Sequence, residues 1–247
     1  MMSVADDLRP AGGCDVRTLN CLCAGAAQGV VRALQVGFLA EHGAELQGRF
    51  GAVGAMKQAL LAGEPCDVMV TTDAMVDALV AEGRLRGDAR APMGRVRTGV
   101  AVRAGEPQPD VSTPAALKAA LRAADAIYFP DPLLATAGIH FASVLRQLGI
   151  HDELQPRFRT YPNGATSMRE LATNPAPRLI GCTQVTEILY TEGVELVGLL
   201  PTQFELATGY TAAVSATSAW PDLAAELVAL LGGPASQALR VASGFEI

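Results

Sequence analysis

Apolar residues in this chain fall into short continuous runs, each followed by a stretch in which they recur every three or four positions. Continuous runs suit strands buried on both faces, and the longer period suits helices laid against a sheet. Strands are predicted at 19–23, 46–50, 67–71, 126–129, 157–161, 178–181, 194–197 and 207–215. The segment 95–103, where Val96, Thr98, Val100 and Val102 alternate with other residues, is predicted to be extended. Helices are predicted over 24–42, 55–62, 73–82, 113–122, 136–148, from about 166, over 182–189, and over 221–231 and 234–241. Thr113 reads as an N-cap with Pro114 at the first helical position. Strand and helix alternate almost without break, which predicts an α/β fold with a mostly parallel sheet covered on both sides.

Four of the strand-to-helix junctions are built from small or hydroxyl residues. They are Ala24-Gly25-Ala26-Ala27, Gly51-Ala52-Val53-Gly54, the Pro132 to Gly138 stretch with Thr136, and Cys182-Thr183-Gln184. The first N–H groups of a helix have no partner within it, so such a junction holds an anion without a buried cation. Thr136 is expected to cap its helix, and Gly138 to let a ligand approach the backbone. In an open α/β sheet these junctions lie together beyond the carboxyl ends of the strands, where ligands bind.

Composition narrows the partners. The net charge of −6 and scattered basic residues exclude a nucleic-acid stripe, and no apolar run reaches the length of a membrane span. Five cysteines in an odd set without C-x-x-C spacing (Cys14, Cys21, Cys23, Cys66, Cys182) read as buried free thiols. His42, His140 and His151 form no ligand spacing with them, so neither a metal nor a cofactor is expected. Residues 1–15 carry no basic stretch followed by an apolar run and read as a disordered extension rather than a signal peptide. The chain as written is therefore expected in the cytoplasm, or in the periplasm if an export signal has been removed.

Several segments in order carry a family resemblance. They include Phe50-Gly-Ala-Val-Gly54, Ala62-Gly-Glu-Pro-Cys-Asp-Val-Met-Val70, Ser112-Thr-Pro-Ala-Ala-Leu117, Asp131-Pro132, Leu145-Arg-Gln-Leu-Gly-Ile150 and Pro234-Ala-Ser-Gln-Ala-Leu239 with Gly244-Phe245. From about Val16 onward the chain resembles the substrate-binding proteins of molybdate ABC transporters. The resemblance implies a two-lobed type II periplasmic-binding-protein (Venus flytrap) fold that closes on a ligand. Lobe one is expected over 16–97 plus 201–247, and lobe two over 98–200.

The departures from that pattern bear on the ligand. The family's first junction offers a serine where this chain has Gly25, Ala26 and Ala27, and its second has a serine where Val53 stands. The tyrosine expected after the fourth strand is missing, with Cys182, Thr183 and Gln184 there instead. Each charge-assisted hydrogen bond lost from a buried oxyanion costs about 1.5–3 kcal/mol. Val53 and Ala26 leave an apolar wall, with Thr136, His140, Thr183 and Gln184 polar opposite. A small organic acid, of the di- or tricarboxylate class, is expected in preference to molybdate.

The Thr136-Ala-Gly-Ile-His-Phe141 motif is also similar to an aconitate-isomerase-like branch of the superfamily. That resemblance implies an alternative, a proton shift in an unsaturated carboxylate. His140, in the first turn of its helix, is the candidate base, with Arg95 and Lys57 as anchors. Glu187, one turn after Gln184, reads as a surface carboxylate, or as a second acid–base candidate in the isomerase. Ligand contacts are thus expected from Gly25, Ala26, Ala27, Val53, Gly54, Arg95, Thr136, Gly138, His140, Thr183 and Gln184. A sensor or regulatory domain is a third reading. A transporter partner is not expected without an export signal.

Overall fold

The computed structural model describes residues 17–247, so the expected N-terminal extension and Cys14 lie outside the described residues. The strands are β1 (Arg17–Ala24), β2 (Ala44–Gly51), β3 (Val68–Thr72), β4 (Leu85–Arg103), β5 (Ala126–Pro130), β6 (Phe158–Tyr161), β7 (Leu179–Gln184), β8 (Val194–Leu199) and β9 (Ala207–Ser215). The helices are α1 (Gln28–His42), α2 (Val53–Leu61), α3 (Asp73–Ala81), α4 (Pro114–Ala123), α5 (Thr136–Gln147), α6 (His151–Leu154), α7 (Gly164–Thr173), α8 (Val185–Tyr190), α9 (Pro221–Gly232) and α10 (Gln237–Ala242).

Strand order is β2-β1-β3-β9-β4-β7-β5-β6, with β8 also paired to β4. In the first lobe β1 runs parallel to β2 and β3, and β9 closes the set antiparallel. In the second, β5 runs parallel to β6 and β7, with β4 antiparallel to β7 and β8. Strand β4 serves both. Residues up to Arg97 pair with β9, and from Thr98 onward the partners are β7 and β8. Strand β4 thus changes partners at Arg97–Thr98.

The period of two along each strand divides its side chains between layers. Val68 and Val70 join one core cluster and Met69 the other, while Ile127 and Phe129 face away from Ala126 and Tyr128. Each lobe thus has a core on both faces of its sheet, which is why these strands read as continuous apolar runs. Cys21, Cys23, Cys66 and Cys182 are buried free thiols. Burial pushes Cys21 and Cys66 up to about 12, far from reactive thiolates.

Three local expectations are corrected. Strand β4 begins at Leu85, ahead of the predicted residue 95, because Pro92 and Gly94 mask a strand whose register shifts between them. Thr136 is the first residue of α5 rather than its cap; Ala135 precedes it and no side chain caps that helix. Cys182, Thr183 and Gln184 complete β7, and α8 starts only at Val185. The Thr113 cap stands, its hydroxyl accepting from the Ala116 N–H at 3.1 Å.

Candidate functional site

The strand ends of both lobes converge on a narrow cleft with a cavity volume of about 20 Å³. From the first lobe come Ala24 and Gly25 at the end of β1, Gly51, Ala52 and Val53 at the end of β2, and Tyr210 from β9. From the second come Pro130 after β5, the start of α5 at Ala135, Thr136 and Ala137, and the start of α7 at Asn163 and Gly164. Gln184 and Glu187 complete the lining. A larger space of about 410 Å³ lies at the far end of the second lobe, among Val102, Pro107, Ala120 and Ile180. Its charged groups, Glu106 and Arg178, are already paired with Arg103 and Asp125, and it lies away from the strand ends where the helix starts meet.

Helices α2, α5 and α7 begin at residues that line or adjoin the cleft, and the first N–H groups of a helix have no partner within it. Asn163 fixes the last of these, its side-chain oxygen accepting from the Thr166 N–H at 2.8 Å. The Asp131 carboxylate shapes the approach to α5 by accepting from the N–H groups of Leu133 and Leu134 at 2.7 and 3.0 Å.

The polar centre of the cleft is Glu187. Expected as a surface carboxylate, it is only 5 % exposed. One turn of α8 swings it back over the end of β7, where Oε2 accepts from the Thr183 hydroxyl at 2.6 Å. It fits because its neighbours have no side chains. A Cβ on Gly25 would collide with one carboxylate oxygen, and a Cβ on Gly164 with the other and with the Thr183 hydroxyl. Burial pushes the Glu187 carboxyl above its ordinary value, against the pull of the Thr183 hydroxyl and the N–H groups of Ala165, Gly164 and Gln184. Tyr210 faces the same space, and burial together with the Glu187 charge raises its phenol well above the ordinary range.

Sequence reasoning named some of this lining and placed other residues there that lie elsewhere. Gly25, Val53, Thr136 and Gln184 line the cleft, and Thr183 acts through Glu187. With its amide turned so that the nitrogen faces the carbonyls of Val96 and Arg97, 3.3 and 3.2 Å away, Gln184 also ties β7 to β4. Ala26 and Ala27 are buried behind the cleft wall. Gly54 has its N–H taken by the Leu134 carbonyl at 3.1 Å, a bond between lobes. Gly138 packs against the carbonyls of Pro130 and Asp131, so the room its missing side chain leaves is filled by backbone rather than ligand. His140 turns away, its Nε2 2.7 Å from the Phe204 carbonyl. Arg95 is exposed and pairs through its backbone with Glu246, and Lys57 lies 3.9 Å from Glu82.

Tyr210 was missed because it sits mid-strand, far along the chain from any helix start. Glu187 was misjudged because nothing in the sequence tells which way a six-residue helix turns its one acid. Among the described residues, no Lys, Arg or His lines the cleft, and no cluster of three or more His, Cys, Asp or Glu side chains is placed to hold a metal. No helix among them is long and apolar enough to cross a membrane.

Residues 19–246 match the model of the bacterial extracellular solute-binding protein family, and the chain belongs to that family. The periplasmic molybdate-binding protein of Azotobacter vinelandii superposes with a TM-score of 0.77 at 19 % identity, covering 93 % of this chain and 99 % of that one. The sulfate-binding protein SubI of Mycobacterium tuberculosis does so with a TM-score of 0.70 at 17 % identity, over 93 % and 86 %. A protein of a Pseudomonas species named aconitate isomerase is 27 % identical over 228 residues, 87 % of this chain and 82 % of that protein.

Proposed function

We propose, with membership in the solute-binding family as the premise, that this chain captures a small organic acid in its inter-lobe cleft. The observation that carries this is the lining. The start of α5 supplies N–H donors for a carboxylate, Ala52, Val53, Pro130, Ala135 and Ala137 supply an apolar wall for a carbon skeleton, and hydroxyl donors are few. Thr136 and Tyr210 are the hydroxyl-bearing residues among the lining side chains. A tetrahedral oxyanion wants donors on every side, whereas a carboxylate wants them at one end only.

A thermal-shift screen tests the reading. A ligand at 100 times its dissociation constant stabilises by about 2.7 kcal/mol. Di- and tricarboxylates are expected to raise Tm well above any shift given by molybdate or sulfate at equal concentration. Stabilisation by the oxyanions with none by the carboxylates contradicts it.

A second reading is favoured by one observation, the buried carboxyl of Glu187 inside the cleft. Its raised pKa suits a group that accepts a proton from a substrate carbon and returns it. In this reading the chain isomerises an unsaturated carboxylate, in keeping with its relative named aconitate isomerase, and Glu187 takes the role that sequence reasoning gave to His140. Incubation with cis- or trans-aconitate is expected to interconvert the isomers. Glu187→Gln is expected to cut turnover by about 10²–10⁴-fold, and His140→Ala to leave it largely intact. Turnover that survives Glu187→Gln removes this reading.

A further inference from the structure

The cleft that is to hold a carboxylate already holds one of its own, and no cation accompanies it. Glu187 and Tyr210 are the titratable groups among the described residues that line it. The charged groups on elements packed against Glu187 have partners elsewhere or face solvent. On β4, Arg97 pairs with Glu205 and Glu246, and Arg103 with Glu106. On α1, Arg32 lies over the Phe50 ring and His42 pairs with Glu226. On β8, Glu195 accepts from Gln108, and on α7, Arg169 and Glu170 are exposed. Glu187 is seated against the start of α7, the very N–H groups that an incoming carboxylate would use.

Resting on the carboxylate reading above, we propose that the cleft captures its ligand together with one proton, shared between a ligand carboxylate and the carboxyl of Glu187. Two carboxylates side by side in a water-poor space cannot both stay charged, and one proton between them turns repulsion into a hydrogen bond. The binding step balances simply. A fully ionised ligand and a proton from solvent enter, the proton resides on the Glu187–ligand pair, and no bond to carbon is made or broken. The substrate class is thereby narrowed to acids that can share a proton at one end while the start of α5 holds another carboxylate, that is, di- and tricarboxylates. Glu187 is raised by burial even before the ligand arrives, which favours the same protonated form.

The test is calorimetric titration of the full chain with tricarballylate, a saturated tricarboxylate with no double bond to move. Titrations from neutral pH upward, where the probe is fully ionised, are run in two buffers of different ionisation enthalpy. Uptake approaching one proton per ligand is expected, with affinity falling about tenfold per pH unit where that proton must be drawn from solvent. Glu187→Gln, which resembles the protonated form in shape and charge, is expected to bind without proton uptake and with affinity independent of pH. Wild-type binding with neither proton uptake nor pH dependence overturns the shared proton alone and leaves the carboxylate reading standing. A Glu187→Gln variant with the wild-type slope does the same. Failure of tricarballylate to bind at any pH overturns both. Should the variant not fold, the two-buffer comparison on the wild type decides by itself.

Discussion

The two walls of the cleft are made by the same device and finished in opposite ways. On the first lobe, β1 and β2 end in Ala24–Gly25 and Gly51–Ala52–Val53, small or apolar residues, with Tyr210 of β9 the one polar side chain beside them. On the second, β7 ends in Thr183 and Gln184 and hands over to a helix whose Glu187 reaches back into the cleft. The bare wall suits a carbon skeleton; the furnished wall suits a proton. A helix start is thus a general anion receptor whose selectivity is set by what the chain places beside it.

The strongest way to break this contrast is to give the walls more hydrogen-bond donors. Val53→Ser combined with Glu187→Gln adds a hydroxyl and an amide donor and removes the resident carboxylate. Two charge-assisted hydrogen bonds are together worth about 3–6 kcal/mol, so molybdate affinity is expected to rise by about 10²-fold or more in a calorimetric titration. An unchanged affinity would mean that the oxyanion preference is not decided at these walls.

A smaller effect sharpens the role of the second wall. Because the folded chain holds the Glu187 proton more tightly than the unfolded chain, the native state binds more protons between the ordinary glutamate value and the folded one. Stability of the wild type is therefore expected to fall as pH rises through that window. Glu187→Gln is expected to remove this part of the fall, so its urea midpoint gains on the wild type as pH increases. A gap between the two that is constant with pH, or shrinks as pH rises, contradicts the raised value.

The smallest effect separates a helix start that is capped from one that is left open. Thr113→Ala removes the hydroxyl that accepts from Ala116 and is expected to cost about 1 kcal/mol in chemical denaturation. Thr136→Ala, at an uncapped start in the cleft wall, is expected to change stability by less than about 0.5 kcal/mol. Equal losses would show that the Thr136 hydroxyl supports the fold rather than standing free for a ligand.

These contrasts also show what the sequence could tell. Runs such as 126–129 announce strands because both faces of each lobe's sheet are covered, and the small residues at 24–27 and 51–54 announce junctions at the strand ends. Which junction residue faces the ligand is a matter of a few ångströms and was not legible. Gly54 gives its N–H to Leu134 of the other lobe, a partner 80 positions away in sequence. His140, one turn into α5, points outward to Phe204. Glu187 could be found only by asking what fills the space left by Gly25 and Gly164, two residues that are close in the fold and far apart in the chain.

The most direct test of the central claim is a crystal structure grown with tricarballylate and molybdate present together at equal concentration. The expected result is density for the tricarboxylate between the starts of α5 and α7, with one of its oxygens within hydrogen-bonding distance of Glu187. An anomalous molybdenum peak in the cleft, with the tricarboxylate absent from it, would contradict the account.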